Sequence, residues 1–223
     1  MPRRIDDIGF GGYKLIQDSD LYCYGTDAVL LSKFCNALNK DNVLDICTGN
    51  GVIPLIVNAL YNPKSITGLE IQLASYLLAE ENSKENGLSD KIKFVCGDAK
   101  NIKDLFAAES FDLVTCNPPY FVSGNSIECD NSAMHIARHE TSAKLEDFMA
   151  AASFVLRKGG RLCMVHRPSR LPDLFEYSRK NGLEPKRLQM VAPRAGEGAN
   201  IVLVEFAKGG GKELKILPEI ILH

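Results

Sequence analysis

No stretch of the 223 residues approaches the run of about 18 apolar positions that a membrane-spanning helix requires. The first twenty residues carry Arg3, Arg4, Asp6 and Asp7 and lack an apolar core, so no signal peptide is expected. No two of the seven cysteines are spaced C-x-x-C, and His135, His139, His166 and His223 do not cluster with them, so no metal site is expected. The odd cysteine count, with most in apolar runs such as Lys93-Phe94-Val95-Cys96, suggests buried, reduced thiols in a cytoplasmic protein. There is no internal repeat, low-complexity tract or Pro/Ser-rich linker. One domain over 1–223 is therefore expected, with residues 1–25 as an N-terminal hairpin appendage. A strong net charge is also lacking: the total is −2, which does not mark the whole chain as a polyanion binder. The balance is uneven, however. Residues 1–156 hold 13 Lys/Arg against 21 Asp/Glu, a net of −8; residues 157–223 hold 13 against 7, a net of +6. A basic third on an acidic body fits either a nucleic-acid footprint or chance surface patterning.

What is present is an alternation of strand and helix signals. Residues 12–17 and 21–24 flank the polar Asp18-Ser19-Asp20 and read as a hairpin. Thr26 is placed to cap a helix whose face carries Leu31, Phe34, Cys35 and Leu38. Strands are expected at 43–47, 65–69, 91–96, 111–116, 161–166, 186–191 and 201–206, and helices at 51–61, 72–87, 143–157 and 169–181. Gly87, Gly159-Gly160 and Asn181-Gly182 are read as helix ends, and the polar stretch 121–141 as a lid or binding loop. The alternation predicts an α/β fold with a doubly wound, mostly parallel sheet.

Ligands of such sheets bind beyond the carboxyl ends of the strands, so the polar residues there matter as a set. Asp45-Ile46-Cys47-Thr48-Gly49-Asn50-Gly51 joins a strand to a helix through two glycines, which permits close approach of a ligand to the backbone. A dinucleotide fingerprint would continue to a third glycine, but Pro54 stands there. Glu70 ends the next strand, where a carboxylate can accept from both ribose hydroxyls. Asp98, at the end of the third, can accept from an adenine amine, or simply cap the turn beginning at Ala99. Together these describe an adenosine pocket without a phosphate clamp, which suits S-adenosylmethionine better than NAD or ATP. Asn117-Pro118-Pro119-Tyr120 follows the fourth strand. Its prolines stiffen the turn, so that the Asn117 amide oxygen and the Pro118 carbonyl can converge on an amino group while Tyr120 stacks on a planar substrate. Cys116 reads as core rather than nucleophile, and His166 as structural.

Asp-x-Cys-Thr-Gly-x-Gly followed by Asn-Pro-Pro-Tyr resembles the class I S-adenosylmethionine-dependent methyltransferases of amino groups. Tyr24 to Leu31, Ala137-Arg138-His139-Glu140, Leu156 to Gly160, Pro185 to Leu188 and the tail from Val202 to Lys212 further resemble the bacterial valine-tRNA adenine-N6 methyltransferase family. That resemblance implies a Rossmann-like, seven-stranded sheet with an antiparallel last strand, and methylation of adenosine 37 beside the anticodon of a tRNA. It implies a cofactor set of Tyr24, Gly25, Thr26, Asp27, Asp45, Thr48, Gly49, Gly51, Glu70, Asp98, Ala99 and Asn117, with Asp45 and the glycines by the methionine part. Asn117, Pro118 and Tyr120 would hold the target base. Arg167 to Arg170 and the Lys208 to Lys212 loop are candidate RNA phosphate contacts. Rival readings are methylation of a protein glutamine amide, adenine methylation in rRNA or DNA, and a non-catalytic nucleotide-binding module.

Overall fold

The computed structural model describes residues 3–21, 23–119 and 143–223. Tyr120, the 121–141 stretch and His139 and Glu140 within it lie outside the described residues. Two sheets form. The small one pairs β1 (Arg3–Asp7) antiparallel with β2 (Lys14–Asp18). The large one contains β3 (Asn42–Ile46), β4 (Ser65–Glu70), β5 (Ile92–Cys96), β6 (Phe111–Cys116), β7 (Leu156–His166), β8 (Leu183–Ala192), β9 (Ile201–Lys208) and β10 (Lys215–Ile216), in the order β10-β8-β9-β7-β6-β3-β4-β5. The short β11 (Ile220–Ile221) also pairs with β8. β3 to β7 are mutually parallel, and β9 runs antiparallel between β7 and β8. The expected seven strands with an antiparallel last member are therefore present, and β10 and β11 extend them.

Successive strand residues point to opposite faces, and each face is covered. Val43, Cys163, Val165 and Leu203 pack with α1 (Thr26–Phe34), α2 (Val52–Tyr61) and α3 (Leu73–Glu85), through Leu31, Phe34, Ile53, Ile56 and Ala79. Leu44, Leu162, Met164 and Val204 pack with α4 (Ile102–Leu105), α5 (Leu145–Val155) and α6 (Leu171–Lys180), through Ile102, Phe148, Met149 and Leu174. This is the doubly wound arrangement, and its strand order reverses between β3 and β6, the topological switch point.

Four expectations need correction. The hairpin partner of β2 is β1, not residues 21–24, because the charged opening segment supplies a ladder from Arg3↔Asp18 to Asp7↔Lys14. Thr26 does not cap α1: it is the first helical residue, Gly25 is the N-cap and no side chain caps the end; Leu38 lies beyond the helix and is exposed. Gly159-Gly160 does not end α5. The helix stops at Val155, and Leu156 is already in β7, opposite Phe111. The ladder shifts register between Leu156 and Arg161, and a side chain on Gly160 would sit 2.9 Å from the Arg157 carbonyl oxygen. Finally, Cys96 is exposed at the end of β5 rather than buried.

The small sheet is docked by asparagines. Asn82, fully buried on α3, accepts the Ile16 amide at 2.6 Å and donates to the Ile16 carbonyl at 3.1 Å. One turn later Asn86 does the same for Lys14, at 2.8 and 2.7 Å. Two side-chain amides at i and i+4 thus imitate a neighbouring strand and satisfy the backbone of β2.

Candidate active site

The chain leaves β3 at Ile46 through Cys47, which is left-handed (φ 61°), into Thr48, Gly49 (φ 57°), Asn50 and Gly51 (φ 83°) before α2 begins. Positive φ at both glycines explains their type. Gly51 has a second reason: a Cβ there would stand 3.0 Å from Phe94 and 3.2 Å from Ala79. Gly68 on β4, which the sequence did not single out, is equally constrained, since a Cβ would meet the Phe94 ring at 2.5 Å and the Thr48 hydroxyl at 2.8 Å. Phe94 therefore packs beneath the turn in the space that two glycines leave. Around Gly49, by contrast, there is open room for a ligand.

Two carboxylates flank this turn, and Glu70 secures it. Glu70, at the end of β4, is buried and accepts the Gly49 amide at 2.8 Å on one oxygen and the Gln72 amide at 3.0 Å on the other. Burial raises its pKa, and these backbone donors oppose the rise. Asp45, fully buried on β3, accepts the Thr115 hydroxyl at 2.6 Å across the switch point, where the two residues are in register. Burial pushes its pKa up to about 7, the Thr115 hydrogen bond notwithstanding. The other Asp45 oxygen has no partner at hydrogen-bonding geometry, nor do the Asn50 amide nitrogen and the Thr48 hydroxyl, which is near enough to Asp45 to oppose that rise. Three buried polar atoms around one glycine turn are unmatched, a pattern that suits a polar ligand seated there. A donor molecule with an amino-acid end, a ribose and an adenine fits this set of groups.

The other expected residues stand at the same carboxyl edge of the sheet. Asp98 and Ala99 follow β5; Asp98 accepts the Lys100 amide at 2.9 Å, so it does cap the turn at Ala99, and its second oxygen lies 3.5 Å from the Lys100 ammonium. Asn117 and the buried Pro118 leave β6, adjacent to β3 at the switch point. Gly25, Thr26 and Asp27 start α1. Tyr24, Gly25 and Thr26 line a groove of about 400 Å³ with Arg4, Asp6, Gln17 and Val29. Asp27 lines a second groove, of about 510 Å³, with Arg167, Pro168, Ser169, Asn200 and Ile201. Arg167 to Arg170 thus stand at the carboxyl edge with Asn117. The Lys208 to Lys212 loop does not. β9 runs the other way, and its eight residues carry the chain roughly 24 Å, at about 3.4 Å per residue, to the amino edge. There Lys208 donates to the Leu156 carbonyl at 2.7 Å and Lys186 to the Gly211 carbonyl at 3.0 Å, before the chain returns as β10 alongside β8 rather than as a simple hairpin.

Neither described thiol beside the turn is suited to act as a nucleophile. Cys116 is buried in the core. The adjacent Cys116 thiol, together with burial, raises the pKa of Cys47 well above the ordinary range. His166, buried at the end of β7, accepts the Arg167 amide on Nδ1 at 2.8 Å. Burial, reinforced by Arg170 and Arg167, lowers its pKa to about 4, so it is neutral at pH 7. Among the described residues no cluster of His, Cys, Asp or Glu is arranged to hold a metal ion, and no helix is long and apolar enough to cross a membrane.

Comparison with known proteins identifies the family. Residues 22–176 match the family model described as "Methyltransferase small domain". A Bacteroides fragilis protein named tRNA1(Val) (adenine(37)-N6)-methyltransferase is 28% identical over 201 residues, covering 89% of this chain and 84% of that one. One of the same name from Porphyromonas gingivalis is 30% identical over 192 residues, covering 83% and 74%. Among solved structures, an Agrobacterium tumefaciens protein described as a predicted O-methyltransferase superposes with a TM-score of 0.72 at 21% identity, over 88% of each chain. Geranyl diphosphate C-methyltransferase from Streptomyces coelicolor, solved with S-adenosyl-L-homocysteine, superposes at 0.60 with 12% identity, covering 82% and 80%. The match to the family model spans well over half of the sequence, and the chain belongs to the methyltransferase small domain family.

Proposed function

We propose that this protein is an S-adenosylmethionine-dependent methyltransferase that modifies N6 of adenosine 37 in the anticodon loop of a tRNA, working in the cytoplasm as one domain over 1–223. The observation that carries the reading is the meeting of the unmatched glycine turn with Asn117-Pro118 at one topological switch point. The names of the Bacteroides and Porphyromonas relatives support the substrate.

Bound S-adenosylmethionine supplies an electrophilic methyl group on a sulfonium. The residues of this chain position the partners of its transfer. Asp45, Thr48, Gly49 and Gly51 would hold the amino-acid end, with Tyr24 to Asp27 over the cofactor. Glu70, already committed to the Gly49 and Gln72 amides, has lone pairs left for the ribose hydroxyls. Asp98 and Ala99 border the adenine. On the opposite side of the switch point, the Asn117 amide oxygen and the Pro118 carbonyl accept the two protons of the target amine. That would leave the nitrogen lone pair free to attack the methyl group; Tyr120, outside the described residues, is the position that the family resemblance assigns to stacking on the base. Proton loss after transfer needs no buried base, and no covalent enzyme intermediate arises. The rate comes from orientation and fixed acceptors. A base must leave its stack to reach this corner, and an anticodon loop presents one at low cost. The groove bordered by Arg167 and Ser169 offers the flanking strand a path on the same edge.

The test is transfer of a labelled methyl group to bulk tRNA, followed by nucleoside mass spectrometry. Labelled N6-methyladenosine is expected. Label on protein, on rRNA alone or nowhere would overturn the reading.

A further inference from the structure

Gln17 is the one hairpin side chain whose chemistry is left open. It is 2% exposed, yet its carbonyl oxygen has no hydrogen-bond partner. Its amide nitrogen donates to Asp6 Oδ2, which also receives Arg4 Nε at 3.0 Å. The carboxylate can only accept, so it dictates which end of the amide faces it and turns the oxygen of Gln17 the other way. An orphaned buried carbonyl costs free energy unless something supplies a donor. Gln17 lines the 400 Å³ groove that Tyr24, Gly25 and Thr26 also border. Its position relative to the glycine turn is fixed. Asn82 Nδ2 donates both to the carbonyl of Ile16, next to Gln17, and to the carbonyl of Asn50 at 3.0 Å, so these two carbonyls lie no more than about 6 Å apart.

We propose that Gln17, held by Asp6, is a donor-binding residue: its amide oxygen accepts a hydrogen bond from the α-ammonium of S-adenosylmethionine. The chemistry selects this group. The molecule has only three kinds of hydrogen-bond donor: the adenine amine, the ribose hydroxyls and the ammonium. Asp98 stands at the adenine position and Glu70 at the ribose, so the ammonium remains, and it belongs to the amino-acid end beside Asn50. The carboxylate and sulfonium donate nothing. The hairpin is thereby a working wall of the donor pocket rather than an appendage. Asn82 holds that wall to the glycine turn, so hairpin and turn act as one unit.

The inference rests on the glycine-turn placement of the donor proposed above, and the test separates the two. Calorimetry would compare S-adenosylhomocysteine with 5′-methylthioadenosine, which lacks the amino-acid end, on the wild-type protein, Gln17→Leu and Gln17→Met. The methionine variant keeps the length of the side chain if leucine perturbs the fold. A hydrogen bond to a charged group predicts that S-adenosylhomocysteine binds about ten- to a hundredfold more weakly to either variant, with methylthioadenosine unchanged. Equal losses for both ligands, or no loss for either, overturn the role of Gln17. So does a change confined to the KM for tRNA, which would make Gln17 an RNA contact. Failure of the wild-type protein to bind either ligand overturns the donor-site placement itself.

Discussion

The two edges of the large sheet treat buried polar groups in opposite ways. At the amino edge, Glu205 on β9 takes Arg187 through both oxygens at 3.0 and 2.7 Å and Arg161 at 3.3 Å. Arg161 also reaches Asp41 at 3.3 Å and the carbonyls of Cys35 and Asn36, while Arg187 donates to the Phe34 carbonyl and lies 4.6 Å over the Phe34 ring. The last carbonyls of α1 are thus met by two guanidiniums. At the carboxyl edge, Asp45, Thr48, Asn50 and Gln17 each leave a buried atom unmatched. The difference separates two kinds of polar burial. The Glu205 cluster is satisfied among its own members and secures the end of α1 to the sheet; the glycine turn holds open atoms that the proposed donor would fill, and the remaining unmatched atom among the described residues, Asn58 Oδ1, lies on α2.

Removing the hub of the amino edge is the largest way to break this contrast. Glu205→Ala leaves two guanidiniums without their carboxylate and is expected to cost about 3–5 kcal/mol of stability, read as a drop in melting temperature, with turnover per folded molecule retained at low temperature. Asn117→Ala should do the reverse. Turnover falls about 10²–10³-fold, as for loss of one placed polar group, while donor affinity changes far less; equal turnover would refute its role.

Asp45 sharpens the comparison through pH. Burial pushes its carboxyl up to about 7 in the folded chain, against 3.8 for an ordinary aspartate. Between those values the folded state keeps a proton that the unfolded state releases, so stability from this residue falls as pH rises through the window and levels off above about 7. The ligand-free melting temperature should therefore decline less between pH 5 and 8 in Asp45→Asn than in the wild-type protein. A parallel decline in both would contradict the assignment. The smallest effect expected is that of Asp98→Ala: about tenfold weaker binding of S-adenosylhomocysteine, since its carboxylate is part exposed and already shared with Lys100. An unchanged dissociation constant would return Asp98 to a purely capping role.

Much of this was legible in advance because the signals were local. Period-two apolar runs marked β3 to β9, and strand-end acids and glycines marked the turn at Asp45–Gly51. What escaped notice depended on distant partners. Asn82 and Asn86 look like ordinary polar positions of α3 until β2 lies beside them. Gly68 is one more strand glycine until Phe94 occupies the space beside it. Gln17 stands in a strand pattern with nothing to distinguish it from a solvated residue. The Gly159-Gly160 misreading has a similar origin: a glycine pair after a helical run suits a C-cap, but Leu156 had already paired with Phe111. The seven-strand expectation came from family resemblance, and the tail strands β10 and β11, of two residues each, are too short to show a period.

A crystal structure of the protein with S-adenosylhomocysteine and an adenosine-containing anticodon-loop oligonucleotide tests the account most directly. The sulfur should lie over the Gly49 turn, facing the amine of an unstacked adenine held at Asn117 and Pro118. A ligand sulfur resting away from the β3–β6 switch point, with Asp45, Thr48 and Asn50 still unmatched, would contradict it.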